Sequence, residues 1–414
     1  MHDFHFKHDE LYCEEVAVQE IAGSVETPFY LYSRATVLNS FERIDKAFGA
    51  LDHLICFAMK ANSNHELLRL LASHGAGADV VSGGELQRAL SSGFVPGKIV
   101  FAGVGKRDDE IRAALSARIL ALHVESLQEL QVIDGLASEF GMKAPVAIRV
   151  NPDIDIEGHP YISTGKEANK FGIEISQVKE LLPRMAEFVN VELIGLHCHV
   201  GSQISKIKPY AESLQILIEL SAEMQSLGLP LQYVDIGGGL GVKYEHVFED
   251  AEAGQANLTP ESLVGALLPQ FEKLGCKILF EPGRALVAEA GILVTRVLYV
   301  KEGRSKTFVI VDAGMNDFLR PSLYGAYHEI VPLRRSSQSP VKVDVVGPIC
   351  ESGDFFAKER RLPPVRRGDC LAIMTAGAYG YALASNYNGR PRPAEVLVDG
   401  DQYRIVCRRE DTPS

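Results

Sequence analysis

Between residues 54 and 280 the sequence alternates eight short apolar runs with seven stretches of helical periodicity. The apolar runs fall at 54–59, 78–81, 98–102, 119–124, 146–150, 193–200, 233–236 and 278–280. Helical stretches lie between them at 66–73, 85–91, 109–115, 127–140, 177–188, 210–227 and 261–274. Strands joined by helices of this length run parallel, and eight of them predict a closed (β/α)8 TIM barrel. An open doubly wound sheet is the weaker alternative, because no Gly-x-Gly-x-x-Gly follows the first strand. The chain has 414 residues, 46% of them hydrophobic. That is ample for a barrel of about 250 residues and a further domain.

The texture changes after about residue 290. Runs at 294–300, 307–311, 341–346, 370–374 and 403–407 are β-rich and separated by turn residues such as Arg367-Gly368-Asp369 and Asp399-Gly400-Asp401. This predicts a C-terminal antiparallel β-barrel or sandwich. At the other end, 10–14 reads as a strand, 16–21 as a helix, and Pro28-Phe29-Tyr30-Leu31-Tyr32 as a strand with Ser33 as the following N-cap. The early strand precedes the barrel pattern and is expected to join the β domain. The expected division is 1–28 packing with the β domain, 29–289 as the barrel, and 290–414 as the β domain.

Net charge is −12, which argues against nucleic acid and anionic membranes as partners. No run of 18 apolar residues and no signal-peptide pattern is present, so a cytoplasmic location is expected. The seven cysteines, at 13, 56, 198, 276, 350, 370 and 407, include no Cys-x-x-Cys pair. Neither a zinc ribbon nor a disulfide framework is suggested.

In a barrel of this kind the chemistry sits at the C-terminal ends of the strands. The first run ends in Phe57-Ala58-Met59-Lys60-Ala61-Asn62. Lys60 there is either a snorkelling lysine or a desolvated one that forms a Schiff base with an aldehyde cofactor. The second leads into Asp79 and Ser82-Gly83-Gly84-Glu85, and the sixth ends in His197-Cys198-His199-Val200-Gly201-Ser202. The seventh enters Asp235-Ile236-Gly237-Gly238-Gly239-Leu240-Gly241, a tight turn or a phosphate cradle of backbone amides. The eighth ends in Glu281-Pro282-Gly283-Arg284. Glu281 is either paired with Arg284 or placed to keep a heteroaromatic nitrogen protonated. His197 and His199 share a strand face, so a metal site must be weighed. It would need further His or Asp at other strand ends, where Lys, Glu and Arg appear instead; no metal is expected. Together a lysine for an aldehyde, amides for a phosphate, a glutamate for a pyridine nitrogen and a histidine to stack on a ring fit pyridoxal 5′-phosphate.

On these motifs the chain resembles the fold-type III pyridoxal-phosphate-dependent decarboxylases over nearly its whole length. Further shared motifs are Asp312-Ala313-Gly314-Met315-Asn316-Asp317, Arg320-Pro321-Ser322-Leu323-Tyr324, Gly347-Pro348-Ile349-Cys350-Glu351-Ser352-Gly353-Asp354 and Gly377-Ala378-Tyr379-Gly380. The resemblance implies decarboxylation of meso-2,6-diaminopimelate to L-lysine and carbon dioxide, the last step of lysine biosynthesis by that route. It implies Lys60, Cys350 and His199 as catalytic residues. Lys60, His199, Ser202, Gly238, Gly239, Glu281, Gly283, Arg284 and Tyr379 would bind the cofactor. Arg284, Arg320, Tyr324, Glu351 and Tyr379 would bind substrate, with the arginines and Tyr324 on its distal carboxylate and Glu351 on its distal ammonium. It also implies a homodimer in which Cys350 reaches the partner's site as a proton donor. The segment 158–172 after the fifth strand is expected to be a mobile lid. The alternatives are a relative acting on ornithine, arginine or carboxynorspermidine, one acting on a close diaminopimelate analogue, a non-catalytic cofactor-binding homologue, and a metal-dependent barrel hydrolase using His197 and His199.

Overall fold

The computed structural model describes residues 2–154, 169–249 and 258–411. The chain divides into two compact units: Phe41–Gly241 with Ala256–Gly283, and Met1–Ser40 with Val242–Gln255 and Arg284–Ser414.

The first unit is the barrel. Its strands are β1 (His53–Ala58), β2 (Gly77–Val80), β3 (Ile99–Phe101), β4 (Ala121–Val124), β5 (Ala144–Asn151), β6 (Val191–His197), β7 (Tyr233–Asp235) and β8 (Lys277–Phe280). All neighbours pair parallel in chain order, and β8 pairs with β1 to close the ring. Seven strands each send one residue into a buried floor: Cys56, Val100, Ala121, Ala147, Ile194, Tyr233 and Leu279. Side chains along a strand alternate faces. The residues two places further on therefore also point into the barrel, one layer nearer the C-terminal mouth. Four of them are polar, His123, Arg149, Asp235 and Glu281, and all four are buried.

The helices outside follow from their sequences. In Leu127–Glu139, Ser126 caps the start by accepting from the Glu129 N–H, and Leu130, Ile133, Leu136 and Ala137 form the buried stripe. Their spacing of three and four is one helix face. Losing such a cap costs about 1 kcal/mol.

The second unit centres on the long strand Gly291–Glu302, which pairs antiparallel with Thr307–Val311, Cys370–Ile373 and Phe29–Ser33. The sheet is mixed rather than purely antiparallel. Thr307–Val311 pairs parallel with Val341–Val346, and Phe29–Ser33 parallel with Ala394–Asp399.

Two expectations are corrected here. The segment 29–40 belongs with the β unit, not the barrel. Phe29–Ser33 is buried at every position, as a strand in the middle of a sheet must be. It falls inside the expected barrel bounds of 29–289, and the helix Arg34–Phe48 follows it. The strand Glu10–Cys13 lies in the β unit as expected, but it pairs within its own small sheet with Phe4–Lys7 and Val16–Ala17. Residues 158–168 of the expected lid lie outside the described residues.

Candidate active site

Lys60 stands in the single turn Met59–Ala61 that follows β1. Its side chain is 40% exposed, and Nζ donates to Asp79 Oδ2 at 3.3 Å. The amine is thus reachable from the barrel mouth and paired, not desolvated. Asp79, at the end of β2, is fully buried. Burial pushes its carboxyl up to about 7, the neighbouring Glu281 adds to this, and Lys60 opposes it. Gly283 packs beneath the turn: a Cβ there would lie 3.0 Å from Ala61 Cβ and 3.3 Å from Ala58 O. Small residues on both sides bring the end of β8 against the lysine.

Below it His123, His197, Asp235 and Glu281 form a buried quartet. Glu281 Oε2 lies 3.3 Å from His197 Nε2, and Oε1 lies 3.8 Å from His123 Nδ1. His123 Nε2 meets the Tyr233 hydroxyl at 3.1 Å and lies 4.0 Å from Asp235 Oδ2. All four quartet side chains are at most 4% exposed. Burial pushes Asp235 well above the usual carboxylate range, and Glu281 beside it pushes the same way. Burial also opposes the charge of Glu281, but His197 and Lys60 outweigh it and hold its carboxyl well below that range. Of the two acids, Asp235 keeps the proton and Glu281 the charge. Burial likewise keeps His123 neutral, far below the ordinary imidazole range. Arg149 donates to Glu125 Oε1 at 2.6 Å. Glu125 in turn accepts the Gly103 and Gly172 amides, which braces the rim.

His199 lies just past β6. The Gly238 amide donates to its Nδ1 at 3.1 Å, so the ring proton sits on Nε2. Burial, reinforced by Lys60 and Arg149, keeps this imidazole neutral. A Cβ on Gly238 would fall 2.0 Å from Glu281 O, and one on Gly239 2.2 Å from Gly201 O. Gly239 also sits at φ +96°, so only glycine fits this close crossing. The Gly237 amide is engaged by Asp235 Oδ1 and the Gly238 amide by His199. Of these three glycine amides, that of Gly239 has no such partner among the described residues. Ser202 lies half-buried on the adjoining loop.

Of the expected site residues, the barrel unit therefore gathers Lys60, His199, Ser202, Gly238, Gly239, Glu281 and Gly283 at the strand ends. The β unit holds Arg284, Arg320, Tyr324, Cys350, Glu351 and Tyr379. There Arg284 is buried, stacks over Tyr379 at 5.0 Å and donates to the Tyr244 hydroxyl. Arg320 is buried, with its guanidinium over the Tyr244 ring at 4.8 Å. Tyr324 is half-buried at the end of the helix Arg320–Tyr324. Tyr379 adopts φ +56°, a costly conformation for a tyrosine. Cys350 and Glu351 are exposed. Their turn is tied by Asp354, which accepts the Met315 and Ile349 amides. Tyr244, His328, His123, Arg149 and Asp235 were not among the expected site residues.

The ground for setting a metal aside is corrected. Further ligands do stand beside His197: the ligand atoms of His123, His197, Asp235 and Glu281 lie within 4.8 Å of one another. The same donor set also suits a protonated heterocycle above Glu281, whose Oε1 is buried without a hydrogen-bond partner among the described residues. Metal analysis of the purified, cofactor-loaded protein separates the two. Less than one equivalent is expected, and a stoichiometric ion would assign the quartet to it.

A reachable amine, a buried carboxylate with one oxygen unpartnered among the described residues, a neutral imidazole and a glycine crossing that could approach an anion together fit pyridoxal phosphate. Residues 34–288 match the family described as "Pyridoxal-dependent decarboxylase, pyridoxal binding domain", and the chain is a decarboxylase of that class with pyridoxal phosphate as its cofactor. It is 46% identical to the diaminopimelate decarboxylase of Aquifex aeolicus, over 98% of this chain and 94% of that one. Among solved structures it is similar to diaminopimelate decarboxylase from Helicobacter pylori complexed with L-lysine, at 43% identity and TM-score 0.90, covering 95% and 97% of the two chains. The M. jannaschii enzyme in co-complex with L-lysine aligns at 35% identity and TM-score 0.92, covering 99% and 95%. Within the class, the chain belongs to the diaminopimelate decarboxylases.

Proposed function

We propose that this chain decarboxylates meso-2,6-diaminopimelate at one of its two amino-acid centres, releasing carbon dioxide and L-lysine. When bound, pyridoxal phosphate supplies a ring that takes up the electron pair left behind as the carboxylate departs. Lys60 supplies the amine that holds the cofactor, oriented by Asp79. Glu281, kept ionised by its neighbours, holds a proton on the pyridine nitrogen. The neutral His199 ring stacks without adding charge. Gly239, with Ser202, Gly238, Gly283, Arg284 and Tyr379, receives the phosphate. Cys350 of the partner subunit returns a proton to the substrate carbon. Its exposure on a braced turn of the single chain supports that reading.

One observation carries the substrate assignment. Arg320 is 6% exposed, yet among the described residues no carboxylate pairs with it. A buried guanidinium with only neutral partners needs an anion from outside. Diaminopimelate brings one at its distal centre, and in this reading Arg284, Arg320 and Tyr324 take it, with Glu351 on the ammonium. Ornithine and arginine, when decarboxylated at their only carboxylate, bring none.

The test is a substrate panel with purified protein, scored for carbon dioxide and for lysine. Release from meso-2,6-diaminopimelate alone is expected, and equal release from ornithine would sink the assignment. Arg320→Ala should lose about 1.5–3 kcal/mol of transition-state binding, roughly 10- to 150-fold in kcat/KM, with the cofactor spectrum intact. The enzyme is proposed to act in the cytoplasm as a homodimer. Among the described residues no helix is long and apolar enough to cross a membrane.

A further inference from the structure

His328 lies four residues beyond the helix Arg320–Tyr324 and is fully buried. Its two ring nitrogens face different partners. Nε2 lies 2.8 Å from Arg320 Nη1, and Nδ1 lies 2.9 Å from the Met374 carbonyl oxygen. A guanidinium only donates and a carbonyl only accepts. The ring must therefore carry its proton on Nδ1 and leave Nε2 bare. It is a neutral imidazole in one tautomer.

The ring is held from its sides as well. Phe318 and Tyr244 meet it nearly edge-on, with centroids 4.6 and 4.9 Å away and interplanar angles of 77° and 73°. Its own carbonyl accepts from Arg360 at 2.8 Å. Burial, helped by the charge of Arg320, pushes the imidazole well below its ordinary range, in keeping with the hydrogen-bond pattern. Tyr244 then links both arginines: its ring lies under Arg320 and its hydroxyl accepts from Arg284.

We propose that His328 is a positioning residue for substrate recognition, orienting the Arg320 fork as a neutral acceptor without cancelling its charge. The inference rests on the assignment of Arg320 to the substrate's distal carboxylate. An aspartate or glutamate in the same place would fix the fork too, but it would neutralise the guanidinium and compete with the substrate. With no acceptor at all, Arg320 would be buried with an unmet donor and free to turn. A neutral, buried, tautomer-locked histidine does the first job and avoids both faults. Its cost is that the charge stays uncompensated until substrate arrives.

The test uses L-lysine as well as turnover. Decarboxylation removes one of the two carboxylates of diaminopimelate, so the product keeps the distal one, and its binding needs no chemistry. His328→Leu should raise KM for meso-2,6-diaminopimelate and weaken L-lysine binding about tenfold or more, with cofactor content and absorbance as in the wild type. His328→Gln, whose amide can accept from Arg320 and donate to Met374, should restore most of both. Nitrogen NMR of the wild-type protein, labelled at histidine, should show His328 neutral with Nε2 unprotonated. A folded His328→Leu protein with wild-type KM and lysine affinity would overturn the proposal, as would an imidazolium or an Nε2–H at His328. If the leucine variant does not fold, the NMR result decides. Arg320→Ala keeps the two readings apart. If it leaves lysine binding unchanged, the carboxylate assignment itself fails; if it weakens binding while His328→Leu does not, only the role of His328 fails.

Discussion

Lys60→Ala loses on the order of a thousandfold or more in turnover, about 4 kcal/mol in the barrier, and its cofactor becomes removable by dialysis. Both effects come from one atom. Nζ of Lys60 is the amine at the barrel mouth that sits against Asp79, at 3.3 Å. That pairing points the amine while the 40% exposure of the side chain leaves it open to reaction. Borohydride reduction of the wild-type protein, followed by peptide mapping, should place the cofactor on the peptide containing Lys60. In the alanine variant no lysine should carry it. Lys60 is outside the packed floor of the barrel, so the variant should melt close to the wild type when both are stripped of cofactor. Labelling on any other lysine, or full activity in the variant, would remove Lys60 from its role.

The barrel is legible in the sequence because eight parallel strands buried on both faces must be apolar, and the helices between them must show a stripe. Each of the eight runs corresponds to one strand in the structure. The cofactor residues are legible for a related reason: they stand at strand ends, where a lysine, a glycine run or a glutamate interrupts an apolar pattern. The layer beneath is readable by parity. Ala121 and His123, Ala147 and Arg149, Tyr233 and Asp235, Leu279 and Glu281 are each two residues apart, so the second of each pair must share the barrel interior with the first. A histidine or aspartate within an apolar run looks like a satisfied core residue until the parity of its neighbours is compared.

Other features left no such trace. Tyr244 comes from a segment far from Arg320 in the chain, and only the folded β unit brings it to Arg320 and to His328, eight residues beyond. The strand Phe355–Leu362 carries Lys358, Glu359, Arg360 and Arg361, a charge density that hides a strand. It pairs at the end of the sheet, where charges guard an edge. Phe29–Ser33 was seen as a strand but joined to the wrong neighbours, because adjacency in sequence favoured the barrel while its burial on both faces required the sheet.

Lys60→Ala and Cys350→Ala, each nearly inactive alone, should recover about a quarter of wild-type activity when their subunits are exchanged at equal amounts. The expectation follows from the proposed dimer, in which a site would be completed across a two-fold axis, with Lys60 from one subunit and Cys350 from the other. In a mixed dimer one site then receives both defects and the other receives none. Random reassortment makes about half of the dimers mixed, and each of these has one intact site of two. Cys350 suits such a role in the single chain. It is exposed, its amide is fixed by Asn388 at 3.0 Å, and buried Asp354 holds the turn by accepting the Met315 and Ile349 amides. A thiol on a braced, exposed turn is placed for a partner rather than for its own core. The experiment purifies both variants, loads them with cofactor, mixes them under conditions that permit exchange, and follows lysine formation beside native mass spectra. Activity that climbs as the mixed dimer accumulates is the expected course. Mixed dimers without any gain would place Cys350 in the site of its own subunit or in none.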